Sequence, residues 1–394
     1  MFMARFREAG ATENLVFRTD NFSVGVVGPD GTVDEARVMC LENSYRDYLL
    51  VPPEDREEVL NKLARVSLLA KNVIPADYSE AVENLLPAVR CRGRFELDVL
   101  QSRIVGEAYD KVVAESFAVH LGIATTYSLP DAIATTTAGN LTQWGVTAEQ
   151  ARQAAMENLR RLPSPFTRVD GNRGIFESAA DDGYDSSRIL LPELIEKLPV
   201  RGFHVAMAPA TSYFYVAGSD DPKALKAMVA RAEAAIYYPR PISGYAFRLV
   251  NGQWHPWLPA PEHFLYKRFR ALQLVMAFST YEFQRKLLHA LELRKPDPES
   301  CFVAGFGLDT RKSPVPERSA TSWTQGVPTL LPHADDIYFV RGTPETGLKP
   351  IGPVSWKRVI EVMGDRMEPV GLYPERYRVQ TFPTDHELAA MTRA

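Results

Sequence analysis

The chain has 394 residues, of which 45% are hydrophobic and 24% are charged, and its formal net charge is -4. This is the composition of a globular protein with a sizeable core, and the length predicts two or three domains. The small net charge carries no electrostatic signature of nucleic-acid binding, so we expect no nucleic-acid partner.

Cysteine usage and the apolar runs indicate the compartment. Cys40, Cys91 and Cys301 are odd in number and far apart, which argues against a disulfide framework and indicates a reducing cytoplasm. Their apolar and strand-like neighbours predict buried thiols. The charged N-terminus lacks the apolar core of a signal peptide, and the longest apolar stretch, Ala271–Phe278, is too short to span a bilayer. We therefore expect a soluble cytoplasmic protein without membrane contacts.

The first part of the chain predicts small sheets with helices docked on them. Leu15–Arg18 and Phe22–Val27 have the alternation of strands. A helix follows from Pro53, because proline followed by acidic residues suits a helix N-terminus. A capping-box pair, Thr147 and Gln150, predicts the start of another helix. Three alternating segments between these helices predict strands: Val89–Arg92, Phe95–Leu100 and Ser116–Leu121.

The middle of the chain alternates strand pairs with helices. A hairpin signal at Asp170–Arg173 joins two short strands. A second pair, Gly202–Ala208 and Tyr213–Ala217, is followed by a helix that starts at Asp221-Pro222. Sequential strands without long crossovers indicate antiparallel pairing. We therefore predict an α+β fold with mostly antiparallel sheets and helices packed on one face, in two or more units.

A domain boundary is expected at Pro239-Arg240-Pro241, because proline-rich polar stretches mark linkers. Beyond it, Asn251-Gly252 is a strong hairpin signal. Ala271–Phe278 predicts a buried strand, and the capping-box pattern Ser279–Glu282 predicts a helix after it. Phe302–Leu308 predicts a further strand. The predicted domains are residues 1–240, with a subdivision into 1–75 and 76–240 left open, and residues 241–394.

The run Asp181–Leu190 is the densest cluster of acidic, aromatic and hydroxyl side chains in the chain. Crowded carboxylates raise one another's pKa or recruit a cation. The three carboxylates Asp181, Asp182 and Asp185 therefore offer oxygen ligands of the kind that Mg²⁺ or Ca²⁺ prefers. Their spacing is not that of an EF-hand loop.

The same run also has a purely structural interpretation. Asp182-Gly183 is a turn dipeptide, and Asp185 or Ser186 is a good cap for the helix that follows. Tyr184 can anchor the turn in the core, and Arg188 can pair with one of the carboxylates. The candidate binding residues are five side chains of this run: Asp182, Tyr184, Asp185, Ser187 and Arg188.

Segments around this run share the order and spacing of a known family. They are the run Asp182–Leu190 itself and three others: Leu86–Arg90, Ala155–Leu159 and Val205–Pro209. Together they resemble the YtpQ-like family, bacterial cytoplasmic proteins of unknown function, over about residues 80–245. The resemblance implies a fold and the place of a site, not a reaction. Where relatives carry an Asp shortly after the late proline, this chain has Thr211-Ser212-Tyr213, and the segment beyond 245 lies outside the resemblance.

No complete catalytic motif accompanies these features. The seven histidines form no H-E-x-x-H pair, and the chain has neither a G-x-S-x-G elbow nor a dinucleotide-binding glycine pattern. We therefore expect no cofactor. An aromatic and basic group follows the Asn251-Gly252 hairpin signal, and its pattern is typical of a core or an interface. It comprises Trp254, Trp257, Phe264, Tyr266 and Phe269 with Lys267, Arg268 and Arg270.

The sequence therefore predicts a protein-binding or adaptor protein without catalysis, with a protein partner whose identity the chain does not reveal. The alternative is a hydrolase-type enzyme that uses an acidic, divalent-metal-assisted site at Asp181, Asp182 and Asp185.

Overall fold

The computed structural model describes residues 2–19, 22–69, 73–106, 110–130, 132–169, 171, 174–294, 300–311, 313–342 and 347–392. Residue contacts divide the chain into two compact units. Unit 1 comprises Met1–Cys91 and Val105–Pro256, and unit 2 comprises Arg92–Ile104 and Trp257–Ala394.

Helices and strands occur throughout the described part of the chain. The helices are α1 (Phe2–Glu8), α2 (Glu42–Leu50), α3 (Arg56–Leu69), α4 (Tyr78–Ala81), α5 (Arg92–Val105), α6 (Ala138–Trp144), α7 (Ala148–Arg161), α8 (Pro192–Ile195), α9 (Pro222–Ala235), α10 (Tyr266–Arg294), α11 (Trp356–Met363) and α12 (Asp385–Thr392). The strands are β1 (Leu15–Arg18), β2 (Ser23–Val27), β3 (Val33–Cys40), β4 (Leu85–Cys91), β5 (Ala114–Phe117), β6 (Leu121–Ser128), β7 (Ile133–Thr135), β8 (Phe166–Arg168), β9 (Ile175–Ser178), β10 (His204–Ala210), β11 (Tyr213–Gly218), β12 (Ala246–Val250), β13 (Gln253–Trp257), β14 (Phe302–Val303), β15 (Gly307–Leu308), β16 (Ser319–Thr324), β17 (Thr329–Pro332), β18 (Asp336–Arg341), β19 (Lys349–Ser355), β20 (Glu368–Pro369) and β21 (Arg376–Val379).

Unit 1 begins with a three-stranded antiparallel sheet in the order β1-β2-β3. Leu15 faces Val26 across the first pair, and Phe17 faces Val24. The helix expected from Pro53 starts as a short 3₁₀ turn and continues as α3, which packs against α1. The buried residues of this layer form one cluster: Phe6, Leu15, Val24, Leu41 and Ala64.

Two further sheets complete unit 1. One has six strands in the order β13-β12-β10-β11-β9-β8, and the other has the order β4-β6-β5 with β7 beside β6. Helix α9 packs on β10 and β11, and α7 packs on β4. Helix α7 begins at the predicted capping box, because the side chains of Thr147 and Gln150 each accept a hydrogen bond from the other's backbone N–H. Of the turn expected at Asp170–Arg173, only Gly171 lies within the described residues.

Unit 2 contains two four-stranded sheets, in the orders β14-β17-β21-β20 and β15-β16-β18-β19. Most pairs are antiparallel, but β14 with β17 and β16 with β18 are parallel. The core packs Trp323 and Phe339 against Val359 of α11 and Leu388 of α12. Both units therefore confirm the predicted α+β class with mostly antiparallel sheets. Within the described ranges, no helix combines the length and the apolar character needed to cross a bilayer.

The prediction of a buried strand at Ala271–Phe278 is wrong, because this segment lies inside the 29-residue helix α10. A short apolar run does not distinguish a buried strand from a buried helix. The buried residues Phe269, Leu272 and Gln273 recur at helical spacing. The expected helix start at Ser279–Glu282 also falls in the middle of α10, where the Ser279 hydroxyl donates to the carbonyl of Val275 one turn earlier.

Three other strand predictions need correction. Phe95–Leu100 belongs to α5, where Leu97 and Leu100 are buried at the i, i+3 spacing of one helix face. Ser116–Leu121 is interrupted by a turn between β5 and β6. Phe302–Leu308 contains two short strands, β14 and β15, that belong to different sheets.

The domain boundary and the cysteines also differ from expectation. The main division of the chain falls after Pro256 and not at 240, because β12 pairs with β10 and so extends the sheet of unit 1. Helix α5 contributes residues 92–104 to unit 2.

None of the three thiols is buried, contrary to the prediction: Cys40 is exposed, and Cys91 and Cys301 are partly exposed.

Candidate functional site

The predicted site run lies at the centre of unit 1. Asp185–Leu190 is a 3₁₀ helix, and all six of its residues are buried. It contacts β4, β9, β10 and β11. The segment therefore sits where strands of both larger sheets of unit 1 meet.

Asp182 and Arg188 form the main ion pair of this segment. The Asp182 Oδ1 accepts a hydrogen bond from the Tyr184 backbone N–H at 2.9 Å, which closes the predicted turn. The Arg188 guanidinium meets the same carboxylate with two parallel bonds, Nη1 to Oδ1 at 2.8 Å and Nη2 to Oδ2 at 2.7 Å. Gly183 has φ +77°, and a side chain there would also press on Ile133. Glycine is therefore the most favourable residue for this position of the turn.

The guanidinium of Arg188 is 0% exposed and has further acceptors. Its Nη2 donates to the Pro163 carbonyl at 2.8 Å, and its Nε donates to the Ser164 Oγ at 3.3 Å. These bonds tie the segment to the link between α7 and β8. A buried charge that lost these partners would cost about 3–5 kcal/mol, so the pair supports the fold rather than an open site.

Asp185 stabilises the chain that precedes it. Its Oδ1 accepts hydrogen bonds from the Ser178 hydroxyl at 2.7 Å and from the backbone N–H groups of Ala180 and Asp181 at 3.2 and 3.3 Å. The predicted capping role is wrong, because neither this carboxylate nor Ser186 caps a helix, and the 3₁₀ helix has no side-chain cap. Burial raises the pKa of Asp185, and the hydrogen bond from Ser178 opposes that rise.

Tyr184 and Ser187 link the segment to the second sheet. The Tyr184 hydroxyl lies 3.1 Å from the Thr126 Oγ1 on β6, and burial raises the pKa of this tyrosine. The Ser187 Oγ accepts a hydrogen bond from the Val89 backbone N–H on β4 at 3.2 Å. The run thus joins the two sheets by specific polar contacts.

The three carboxylates do not converge on one point. Both oxygens of Asp182 are bound by Arg188, and the Asp185 Oδ1 already accepts three hydrogen bonds. In the part of the chain that the structure describes, no group of three or more His, Cys, Asp or Glu residues is placed to hold a metal ion. The geometry therefore lends no support to a metal-assisted hydrolase at Asp181, Asp182 and Asp185.

The predicted aromatic group is divided between a buried and an exposed set. In unit 1, Trp254 is buried and its Nε1 donates to the Ile189 carbonyl at 2.8 Å. In unit 2, Trp257 packs edge-on against the buried Phe269 at 5.5 Å between centroids. Phe264 is 63% exposed. Two of the five rings, Trp254 and Phe269, are therefore core residues, and the other three are partly or mostly exposed.

A surface that the sequence did not indicate lies on helix α2 of unit 1. Its polar residues hold it in place. The Asn43 Oδ1 accepts a hydrogen bond from the Arg240 backbone N–H at 2.9 Å, and Arg46 donates to the Tyr238 carbonyl at 3.2 Å. Asp47 accepts two bonds from the Arg240 guanidinium at 3.0 and 2.8 Å. The polar face of α2, spaced i, i+3 and i+4, therefore faces the protein.

The opposite face of α2 is apolar and largely exposed, although the Arg56 guanidinium lies over the Tyr48 ring at 5.0 Å. No residue of this nine-residue helix is buried, and Tyr45 and Leu49 are each 49% exposed. The Tyr45 ring lies 6.3 Å from Tyr48 and 5.5 Å from Phe22, which in turn lies 5.8 Å from Phe17 on β1. We call these five side chains the aromatic surface. The sequence of α2 contains one polar and one apolar stripe, and tertiary contacts alone reveal which one faces outwards.

Comparisons with models of protein families, with curated proteins and with solved structures find no match to this chain. The resemblance to the YtpQ-like family therefore stays a prediction.

Proposed function

We propose that this protein is a protein-binding or adaptor protein whose aromatic surface binds an amphipathic helix of a partner protein. The observation that carries the proposal is the inverted orientation of α2, which directs its polar stripe inwards and its apolar stripe outwards. Surface helices normally bury the apolar stripe, because its removal from water stabilises the fold. An apolar stripe held outwards is suited to a partner.

The chemistry of this surface suits recognition. Tyrosine is enriched among the residues that dominate binding energy at protein interfaces. The ring contacts between Phe17, Phe22 and Tyr45 hold the aromatic groups in one arrangement before binding, which lowers the entropy lost on association. Beside the stripe, the exposed carboxylate of Glu42, which Arg46 holds in an ion pair, supplies a polar rim.

The spacing of the stripe favours a helix as the bound element. Tyr45, Tyr48 and Leu49 recur at i, i+3 and i+4, the pattern with which one helix packs its side chains against another. A partner helix that presents an apolar stripe of the same spacing would cover these residues.

The resemblance to the YtpQ-like family and the separated, unbridged cysteines support a bacterial cytoplasmic setting for this interaction.

A photocrosslinking residue at position 49, with a matched one at the exposed Phe264 of unit 2, would identify the partner in cells. The cross-linked peptide, located by mass spectrometry, is then tested as a purified segment. We expect calorimetry with the full chain to give an affinity that the double variant Tyr45→Glu/Leu49→Glu weakens at least tenfold, because an interface hot spot contributes about 2 kcal/mol or more. The control variant Phe264→Glu is expected to bind as the original chain does.

Three results would contradict the proposal. Cross-links only to a second copy of the chain, with a dimer in light scattering, would assign the aromatic surface to self-association. Flotation with anionic vesicles that the double variant abolishes would assign it to a membrane surface. Equal affinity of the partner segment for the original chain and the double variant would place the binding site elsewhere. Because the substituted side chains are exposed, both variants are expected to unfold within about 0.5 kcal/mol of the original chain.

A further inference from the structure

Unit 2 contains a cavity of about 540 Å³ that is unrelated to the aromatic surface. Its walls come from four parts of this unit: the end of α5, the C-terminal half of α10, the start of β14 with its neighbour β17, and β21. The volume lies within the usual range of small-molecule sites, about 300–1,000 Å³.

Part of the cavity wall is apolar. Leu288 and Leu291 follow each other at helical spacing on α10, and Val303 and Leu330 belong to the neighbouring strands β14 and β17. Such a lining is typical of a site that takes up the hydrocarbon part of a ligand.

The charged part of the wall is mainly arginine. Arg103 of α5 and Arg378 of β21 line the cavity with His289 of α10, and Glu292 supplies the one carboxylate among the described lining residues. Glu292 has interactions of its own. Among the described residues of the wall, two guanidiniums therefore stand against one carboxylate.

The guanidinium of Arg378 differs in its contacts from that of the neighbouring Arg376. Within the described residues it makes no hydrogen bond or ion pair, and its Nε is buried without an acceptor. Arg376, two residues earlier on the same strand, is the opposite case. Its donors reach the Gln284 side chain at 2.6 Å and the Ala304 carbonyl at 2.8 Å. A buried donor without an acceptor is unfavourable, so a ligand oxygen that accepts a hydrogen bond from this guanidinium would be held here.

We propose that this cavity binds a small organic anion, a carboxylate or a phosphate monoester attached to an apolar body. The guanidiniums of Arg378 and Arg103 receive the charged group, because their planar donors match carboxylate and phosphate oxygens. The leucines and Val303 enclose the apolar body. Neither the charged group nor the apolar body is sufficient by itself for tight binding.

Calorimetry on the full chain tests the proposal with four probes: octanoate, octyl phosphate, octanol and inorganic phosphate. We expect saturable binding of at least one of the two amphipathic anions, and at least tenfold weaker binding of octanol and of inorganic phosphate. The variants Arg378→Met and Arg103→Met are expected to weaken anion binding at least tenfold, because each removes charge-assisted hydrogen bonds. Lys286→Met removes an exposed cation of α10 outside the cavity and is expected to leave the affinity unchanged.

A second measurement places the ligand. Cys301 lines the cavity and is partly exposed, whereas Cys40 lies exposed in unit 1. The bound anion is expected to slow alkylation of Cys301 several-fold and to leave Cys40 unchanged, as measured by peptide mass spectrometry. Because Arg103 is exposed, its variant folds even where Arg378→Met does not. Failure of both anions to bind, equal affinity in the Arg103→Met and Lys286→Met variants, or unchanged alkylation of Cys301 would overturn the proposal.

Discussion

Arg188 shows that charged side chains of the run Asp181–Leu190 have a structural role within unit 1. Its guanidinium is fully buried and is shared between the carboxylate of Asp182, the Pro163 carbonyl and the Ser164 hydroxyl. A catalytic or binding arginine needs donors that remain available to a substrate. These donors are already bound, so the acidic and basic residues of the run hold neighbouring elements together.

Asp185 gives this network a pH dependence. Burial raises the pKa of its carboxyl above the ordinary value of 3.8, so the folded protein keeps this proton to a higher pH than the unfolded chain does. The stability that the proton contributes is complete below about pH 3.8 and is lost as the pH rises through the folded-state pKa. Asp185→Asn stays neutral and keeps an acceptor oxygen. We therefore expect the unfolding free energy of the variant, relative to the original chain, to rise with pH from about pH 4.

Urea denaturation between about pH 2.5 and pH 7, with hydrogen exchange to report on unit 1 separately, measures this difference. Asp30 provides a control of opposite sign. Hydrogen bonds from Thr32 lower the pKa of its exposed carboxyl, so the stability of Asp30→Asn relative to the original chain is expected to fall slightly as the pH rises to about 4 and to stay level above it. A flat or falling profile for Asp185→Asn would contradict the assigned role of Asp185.

Among the elements, α2 and α10 share one ambiguity. Helix α2 contains two stripes of suitable spacing, and the contacts of Asn43 and Asp47 with Arg240 decide which stripe faces inwards. In α10, a run of apolar residues conceals the helical period, and burial at Phe269, Leu272 and Tyr281 reveals it. Local patterns in both cases are compatible with more than one arrangement, and packing selects one.

The turn between β5 and β6 is a strained element. The His120 backbone N–H donates to the Ala118 carbonyl at 2.7 Å around Val119, which has φ +66°. A three-residue turn with positive φ is rare and unfavourable for a β-branched residue. We expect Val119→Gly to raise the unfolding free energy of unit 1 by about 0.5–1 kcal/mol, because relief of about 1–2 kcal/mol of strain exceeds the entropy cost of glycine.

Gly145 is the matched control for that variant. It ends α6 with φ +68°, and a side chain at this position would meet no neighbour within 4 Å. Gly145→Ala therefore adds backbone strain alone, and we expect a loss of about 1 kcal/mol in the same denaturation measurement. If Val119→Gly destabilises unit 1 as much as Gly145→Ala does, the contacts of the Val119 side chain outweigh its backbone strain.

At the scale of the whole molecule, the chain crosses between its two units three times. Helix α5 belongs to unit 2 although unit 1 precedes and follows it in sequence. Within unit 2, Arg92 lies over the Tyr373 ring at 4.3 Å, and Arg294 donates to the Ile104 carbonyl at 2.9 Å. A division of the gene into two consecutive halves would therefore separate α5 from its partners.

A fragment that ends at Pro256 tests this assignment. It contains α5 without the rest of unit 2, so we expect the backbone amides of residues 93–104 to lose most of their protection against hydrogen exchange. The amides of β10 and β11, which lie at the centre of the unit 1 sheet, are expected to keep theirs. The full chain is the control. Equal protection of α5 in the fragment and in the full chain would show that its stability does not depend on unit 2.

The sequence alone determined the features whose information lies within a few residues. The capping box at Thr147, the turn at Asp182-Gly183 and the hairpin at Asn251-Gly252 each depend on local backbone chemistry, and the alternation of strand pairs with helices indicated the α+β class. Only the tertiary structure decided the helical state of α5 and α10, the outward face of α2 and the burial of the Arg378 Nε without an acceptor among the described residues. These properties depend on contacts between residues that are far apart in the chain, and local patterns contain no information about such contacts.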